Sequence, residues 1–328
     1  NFGFEASRPV DASVRKLLRT RFAMIDNCDG CNKERSATAQ AILLLPVAPL
    51  CWAGNIVLAR GVIDIMPPVA LAFWRWAVAF LVLLPFAWRQ TRHDWPTAVR
   101  HWKILLVLSF LGISCFNTLL YTAMHTTTAI NGALIQTTMP AIIILITLLF
   151  FNERVTLLQM AGVMLCVVGA GTVVLQGQWH LLTQMALVRG DILMSIAVVV
   201  YALYSALLRK RPVMHPVSFL VYTFGIGALG LLPLYLVEIG QGHTFTPAWE
   251  TLASILYVAL FPSIVAYFCW NRGVELIGAN RTGLFINLIP VFASLMAIAW
   301  LGESLERFHM VGMLLILTGM VMFNRRRR

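Results

Sequence analysis

The chain has 328 residues, 59% of them hydrophobic and only 12% charged, with 25 Lys and Arg against 14 Asp and Glu. A soluble domain carries about 25% charged residues, so water cannot face this surface throughout and lipid must cover much of it. The net charge of +11 then reads as orientation in a membrane and not as nucleic-acid binding.

Residues 1–40 are basic and polar and lack the apolar stretch of a signal peptide. They are expected to form a mobile cytoplasmic tail. Met24 marks a shorter start, which makes residues 1–23 an expected extension. Cys28 and Cys31 form a C-x-x-C pair. A structural metal site needs four ligands, two more are not at hand, and no metal is expected.

A membrane-crossing helix needs about 20 mostly apolar residues. Ten runs qualify, at about 41–60, 68–88, 103–124, 129–151, 155–175, 188–208, 216–238, 250–274, 280–301 and 306–324. Turns as short as Asn152-Glu153-Arg154 and Gly302-Glu303-Ser304 make successive helices antiparallel neighbours. Barrel strands would alternate over about ten residues, and these runs are continuous. The expected fold is an all-α membrane protein with ten transmembrane helices.

Lys and Arg set the topology. With the N-terminus inside, the inner face holds the tail, Arg89, Arg92, Arg100, Lys103, Arg154, Arg209, Lys210, Arg211, Arg272, Arg281 and Arg325–Arg328. The outer face keeps Arg60, Arg189 and Arg307, while Arg75 lies within a span. This predicts a multi-pass bacterial inner-membrane protein, both termini cytoplasmic, and monomeric.

The chain repeats itself. Pro140, Glu153, Gly162 and Gly169 recur as Pro290, Glu303, Gly312 and Gly319, each 150 residues later. Pro68-Val69 recurs as Pro216-Val217. Two five-helix units follow, over 41–175 and 188–324. Five is odd, so the second unit is inverted, as in transporters that alternate access around a midplane site.

The Leu-Cys-Trp-Ala-Gly-Asn stretch at 50–55, Arg75, and Pro140 with the Asn152-Glu153-Arg154 turn carry a resemblance. So do Trp270-Asn271-Arg272, Pro290 and Gly302-Glu303 in the second unit. Over about 41–324 the chain resembles the tandem EamA domains of the drug/metabolite transporter superfamily. The stretch from Trp270 to Arg281 is similar to that of YddG-type exporters of aromatic amino acids. The resemblance implies a secondary transporter that exports small organic metabolites, with aromatic or apolar amino acids foremost. Nucleosides, sugar phosphates, drugs, or passage through a channel or facilitator are the alternatives.

Polar and broken positions inside the spans mark the expected cavity. A proline within a helix frees the carbonyl four residues back. Pro140, Pro262 and Pro290, with Gly112 at the repeat position of Pro262, give spans three, four, eight and nine a weak point near one depth. These are the expected hinge and cavity-lining positions. Arg75 lies about 12 Å below the outer end at 1.5 Å per residue. Asn55, Asn117 and Gln136 share that depth. The inverted cluster comprises Tyr204, Thr223, Tyr267 and Asn287. Expected substrate-binding residues are Asn55, Arg75, Asn117, Tyr121, Gln136, Tyr204, Tyr267 and Asn287. Arg75 either docks a substrate carboxylate or phosphate, or is structural and neutralised by freed carbonyls and Asn side chains. Trp52, Tyr121, Tyr201, Tyr204, Tyr267 and Trp270 either line a pocket for an apolar body or pack the core.

All carboxylates fall in tails, loops or span ends, and no His lies at a span centre. A carboxylate proton relay across the midplane is therefore not expected, nor is a cofactor. G-x-S-x-G, paired mid-membrane Asp and a P-loop are all missing, so the chain reads as a carrier and not as an enzyme. Its partners are the bilayer and a small-molecule substrate.

Overall fold

The computed structural model describes residues 38–62, 65–127, 132, 135–153, 155–183, 188–301 and 306–324. The expected tail up to residue 37, with Cys28 and Cys31, lies outside them, as do Arg154, the Gly302-Glu303-Ser304 turn and Arg325–Arg328. Among the described residues all regular structure is helical. Six stretches are long and apolar enough to cross a membrane: Pro68–Arg100, Trp102–Met124, Leu157–Val174, Arg189–Lys210, Pro216–Gly240 and Trp249–Ile277. Two shorter apolar helices, Ile135–Phe151 and Arg307–Phe323, accompany them.

In chain order the helices are α1 (Val47–Val62), α2 (Pro68–Arg100), α3 (Trp102–Ser109), α4 (Phe116–Met124), α5 (Met139–Phe151), α6 (Leu157–Val174) and α7 (Arg189–Leu207). There follow α8 (Pro216–Gly240), α9 (Trp249–Ala259), α10 (Ala266–Ile277), α11 (Ala279–Gly283), α12 (Leu288–Leu301) and α13 (Arg307–Asn324). Local chemistry sets several boundaries. Asn152 takes the left-handed conformation after α5, with φ 53°, a common way to end a helix. Thr156 and Gln159 then cap α6 reciprocally.

The second span was expected to stop near residue 88, but α2 runs on to Arg100. Hydropathy reports where the membrane ends, and Arg89, Gln90 and Arg92 are good helix formers beyond it. This long helix lies antiparallel to α8, and a carboxylate ties the pair at each end. Glu238, at the end of α8, accepts from the Val69 amide at 3.1 Å and the Ala70 amide at 2.6 Å. Those are first-turn amides of α2, which have no helical partner and sit at the positive end of the dipole. At the other end Asp94 accepts from the His215 amide at 2.9 Å, just ahead of α8. Glu238→Ala should therefore lower stability by about 1–2 kcal/mol, as for loss of a helix cap, read as an earlier melt in detergent.

Burial alone would raise the Asp94 carboxyl pKa, but donors at Ser218, the His215 amide and His93 outweigh it and hold the value below normal. The Asp94 tie thus contributes fully above the ordinary carboxylate range. It is lost as pH falls through the depressed value.

The Gly162, Cys166 and Gly169 side of α6 meets Gly312, Ile316 and Gly319 of α13. The backbones touch. A Cβ on Gly162 would lie 2.7 Å from the Gly319 carbonyl oxygen, and one on Gly169 2.7 Å from that of Gly312. Small residues that let backbones approach are a standard membrane helix contact. Repeat mates cross over here: Gly162, matched in sequence to Gly312, meets Gly319 instead. The two helices are therefore antiparallel.

The expected weak points take two forms. The Trp102–Met124 and Trp249–Ile277 stretches each contain a π-helical segment, Phe110–Cys115 and Leu260–Val265. These hold Gly112 and Pro262, at equivalent places in the two units. Pro140 and Pro290 differ, since each sits in the first turn of a restarted helix. Thr138 breaks the chain ahead of α5, and a 3-10 turn at Leu284–Asn287 precedes α12. A first-turn proline loses no helical hydrogen bond, and its fixed φ suits the start.

Candidate functional site

A π-helical segment leaves carbonyls without their usual amide partners. Both segments face the middle of the bundle, and in both the freed groups are taken up by side chains. The Gly112 carbonyl accepts from the Tyr267 hydroxyl at 2.5 Å. The Pro262 carbonyl accepts from Arg75 Nη2 at 2.9 Å and Trp52 Nε1 at 3.1 Å. The Val258 carbonyl, four residues before Pro262, accepts from Ser263 Oγ at 2.8 Å. The first two capture bonds cross between the units. Each unit's π segment is held by side chains of the other.

Arg75 is the hub. Its Nε donates to Ser263 Oγ at 2.6 Å. Its Nη1 donates to the Tyr121 hydroxyl at 2.9 Å and, less closely, to Asn117 Oδ1 at 3.4 Å. The guanidinium carbon lies 4.8 Å from the Trp76 ring centre. Arg75 is 3% exposed, and each partner that its hydrogen bonds reach is uncharged. A buried cation is costly without a counter-charge. Freed carbonyl, hydroxyl, amide and ring face together stand in for one here.

An aromatic cage adjoins the hub. Trp52 lies 5.3 Å from Trp270, 6.0 Å from Tyr201 and 6.3 Å from Tyr267, measured between ring centres. Tyr201 also lies 5.3 Å from Tyr204. These separations suit edge-to-face and offset packing. Tyr204 donates to Asn271 Oδ1 at 2.7 Å. Gly112 admits the Tyr204 ring, because a Cβ there would lie 2.5 Å from its Cδ2. Three buried donors around the cage have no hydrogen-bond partner among the described residues: Trp270 Nε1, Asn271 Nδ2 and Trp76 Nε1. Such atoms are uncommon in packed interiors, and together they offer donors to a bound molecule.

Of the expected site residues, Arg75, Asn117, Tyr121, Tyr204, Tyr267, Gly112 and Pro262 come together in this hub and cage. Thr223 is buried nearby on α8, where its hydroxyl donates to the Phe219 carbonyl at 2.8 Å within its own helix. Gln136, half-buried ahead of α5, is not among the groups that Arg75 reaches. Pro140 instead lies against Gly283 of α11. Asn287 is fully buried ahead of α12 with both amide atoms unpartnered, and Asn55 Oδ1 is likewise unpartnered. Ser263 and Trp76 belong to the hub and were not singled out from sequence. The signal for Ser263 was present, as a hydroxyl next to the proline that breaks its span.

Tyr267→Phe removes the hydroxyl that donates to the Gly112 carbonyl. An unsatisfied buried acceptor costs about 1–3 kcal/mol, so this variant should melt earlier in detergent. Trp52→Phe should do less, because Arg75 still serves the Pro262 carbonyl.

Known proteins share this architecture. A solved crystal structure superimposes with a TM-score of 0.68 over 87% of this chain and 96% of its own, at 16% identity. In sequence the chain is similar to the uncharacterized transporter YyaM of Bacillus subtilis, 27% identical over 80% of this chain and 87% of that protein. It is also similar to a probable terminal-alkyne amino-acid exporter of Streptantibioticus cattleyicolor, 25% identical over 88% of this chain and 94% of that protein. Transporters of this kind are not enzymes, and the apolar helices make this a multi-pass membrane protein. The sequence pattern of the EamA-like transporter family matches residues 39–175 and again 188–325, and the chain belongs to that family.

Proposed function

We propose that the chain is a ten-span secondary transporter of two inverted five-helix units. It exports small organic metabolites, and its preferred substrates are amino acids with aromatic or apolar side chains. The observation that carries this reading is the Arg75 hub beside the aromatic cage. A cation with only neutral partners suits a carboxylate, and a cage of Trp and Tyr suits an apolar body. The amino-acid exporter of Streptantibioticus cattleyicolor, similar over most of its length, supports the same substrate class. The end of the bundle carrying Arg209, Lys210, Arg211 and Arg272 is assigned to the cytoplasm by its positive charge, in a bacterial inner membrane with both termini inside.

In this reading Arg75 exchanges Tyr121 and Asn117 for the substrate carboxylate, and the side chain enters the cage. The cross-unit bonds at Gly112 and Pro262 are the contacts that shift as the units rock. The direct test is an uptake panel in proteoliposomes. Saturable uptake of phenylalanine, tryptophan or leucine is expected. Uptake confined to nucleosides or sugar phosphates would replace this substrate class with those.

A further inference from the structure

One carboxylate joins three helices at the basic end of the bundle. Glu153, just after α5, pairs with Arg209 at the end of α7. Its other oxygen accepts from Asn280 Nδ2 of α11 at 3.0 Å. Asn280 Oδ1 in turn accepts from Thr147 of α5 at 2.7 Å. The Arg209 guanidinium also rests 4.6 Å from the Phe151 ring centre. The Tyr204–Asn271 bond lies further in, about one and a half helical turns from Arg209 along α7. Beyond it stand the cage and Arg75.

We propose that Glu153, Arg209 and Asn280 form a gate latch, closed in this structure, that must part for substrate to pass at this end. The inference rests on the transport reading above. Two features favour a latch over a structural tie. First, the network joins the ends of α5, α7 and α11, which belong to both units, so rocking of the units must stretch it. Second, the Glu153 and Arg209 side chains are 39% and 44% exposed. Half-exposed ion pairs contribute little to stability, so this one parts and re-forms readily.

The test uses the full chain with Cys28 and Cys31 replaced by Ser, Glu153→Cys and Arg209→Cys, reconstituted in liposomes. A bismaleimide of short span joins the two new thiols, and mass spectrometry confirms the link. Before linking, uptake should lie within a few-fold of the parent. After linking, it should fall at least tenfold. Undiminished uptake by the linked protein overturns the latch, and so does failure of the two thiols to link in folded protein. If the unlinked pair proves inactive, the exchange of Glu153→Arg with Arg209→Glu decides. Uptake above either single change supports the latch, and no recovery overturns it. Loss of uptake in the parent itself would instead strike the transport reading.

Discussion

Arg75→Gln should cut phenylalanine uptake by a factor of about a hundred or more while the protein stays folded. Two hydrogen bonds from a guanidinium to a carboxylate contribute about 1.5–3 kcal/mol each, and about 1.4 kcal/mol is a factor of ten. The fold should tolerate the loss because three of the four partners keep another bond. Ser263 still donates to the Val258 carbonyl, and the Pro262 carbonyl still accepts from Trp52. Asn117 Nδ2 still donates to the Ile113 carbonyl at 2.8 Å. Removing the charge also removes its burden of desolvation. A structural arginine would behave otherwise, with uptake and melting temperature falling together. Arg75→Lys should recover only part of the activity, because one ammonium cannot replace a planar fork that reaches Ser263, Tyr121 and Pro262 at once. Phenethylamine, which lacks the carboxylate, completes the test as a competitor. It should compete poorly with phenylalanine in the parent and lose that disadvantage in Arg75→Gln.

The largest effect on stability should come from Gly169→Leu. Even a methyl there meets the Gly312 carbonyl oxygen at 2.7 Å, the Leu315 Cβ at 2.8 Å and the Ile316 amide nitrogen at 2.9 Å. Most of these are backbone atoms that no rotamer change can move. The helices must separate, which costs about 1–3 kcal/mol or more for overpacking and forfeits the close contact along α6 and α13. The melting temperature in detergent should fall by about 5 °C or more, at roughly 2–4 °C per kcal/mol. Gly162→Leu should act alike, since its neighbour is the Gly319 carbonyl. Gly240→Ala, with nothing within 4 Å of its would-be Cβ, is the control that should leave melting unchanged. Neither α6 nor α13 contributes to the hub, so any protein that stays folded should keep its apparent KM.

Much of this was legible because lipid imposes a simple rule: apolar runs must be helices and charges must gather at their ends. The repeat mates Gly162, Gly169, Gly312 and Gly319 could be read directly, and so could the weak points at Gly112 and Pro262. Depth along a span could be read too. Direction around the helix axis could not, because a membrane helix is apolar on its lipid face and its buried face alike. That is why Gln136, expected at the depth of Arg75, is not among its hydrogen-bond partners. It is also why the crossing bonds between units were invisible. The polar extension of α2 escaped for a different reason, since a polar helix end leaves no hydropathy signal. The π segments were legible only as a proline matched to a glycine in the other unit. Nothing in either sequence alone tells a π bulge from a kink.

Counterflow tests the central claim most directly. Proteoliposomes loaded with unlabelled phenylalanine are diluted into trace labelled phenylalanine, and entry of label is followed. A carrier that alternates between two faces around the Arg75 hub predicts transient accumulation of label above the outside concentration, saturating with substrate and lost in Arg75→Gln. Entry that never exceeds equilibration, rises linearly with concentration and ignores the internal load would contradict it.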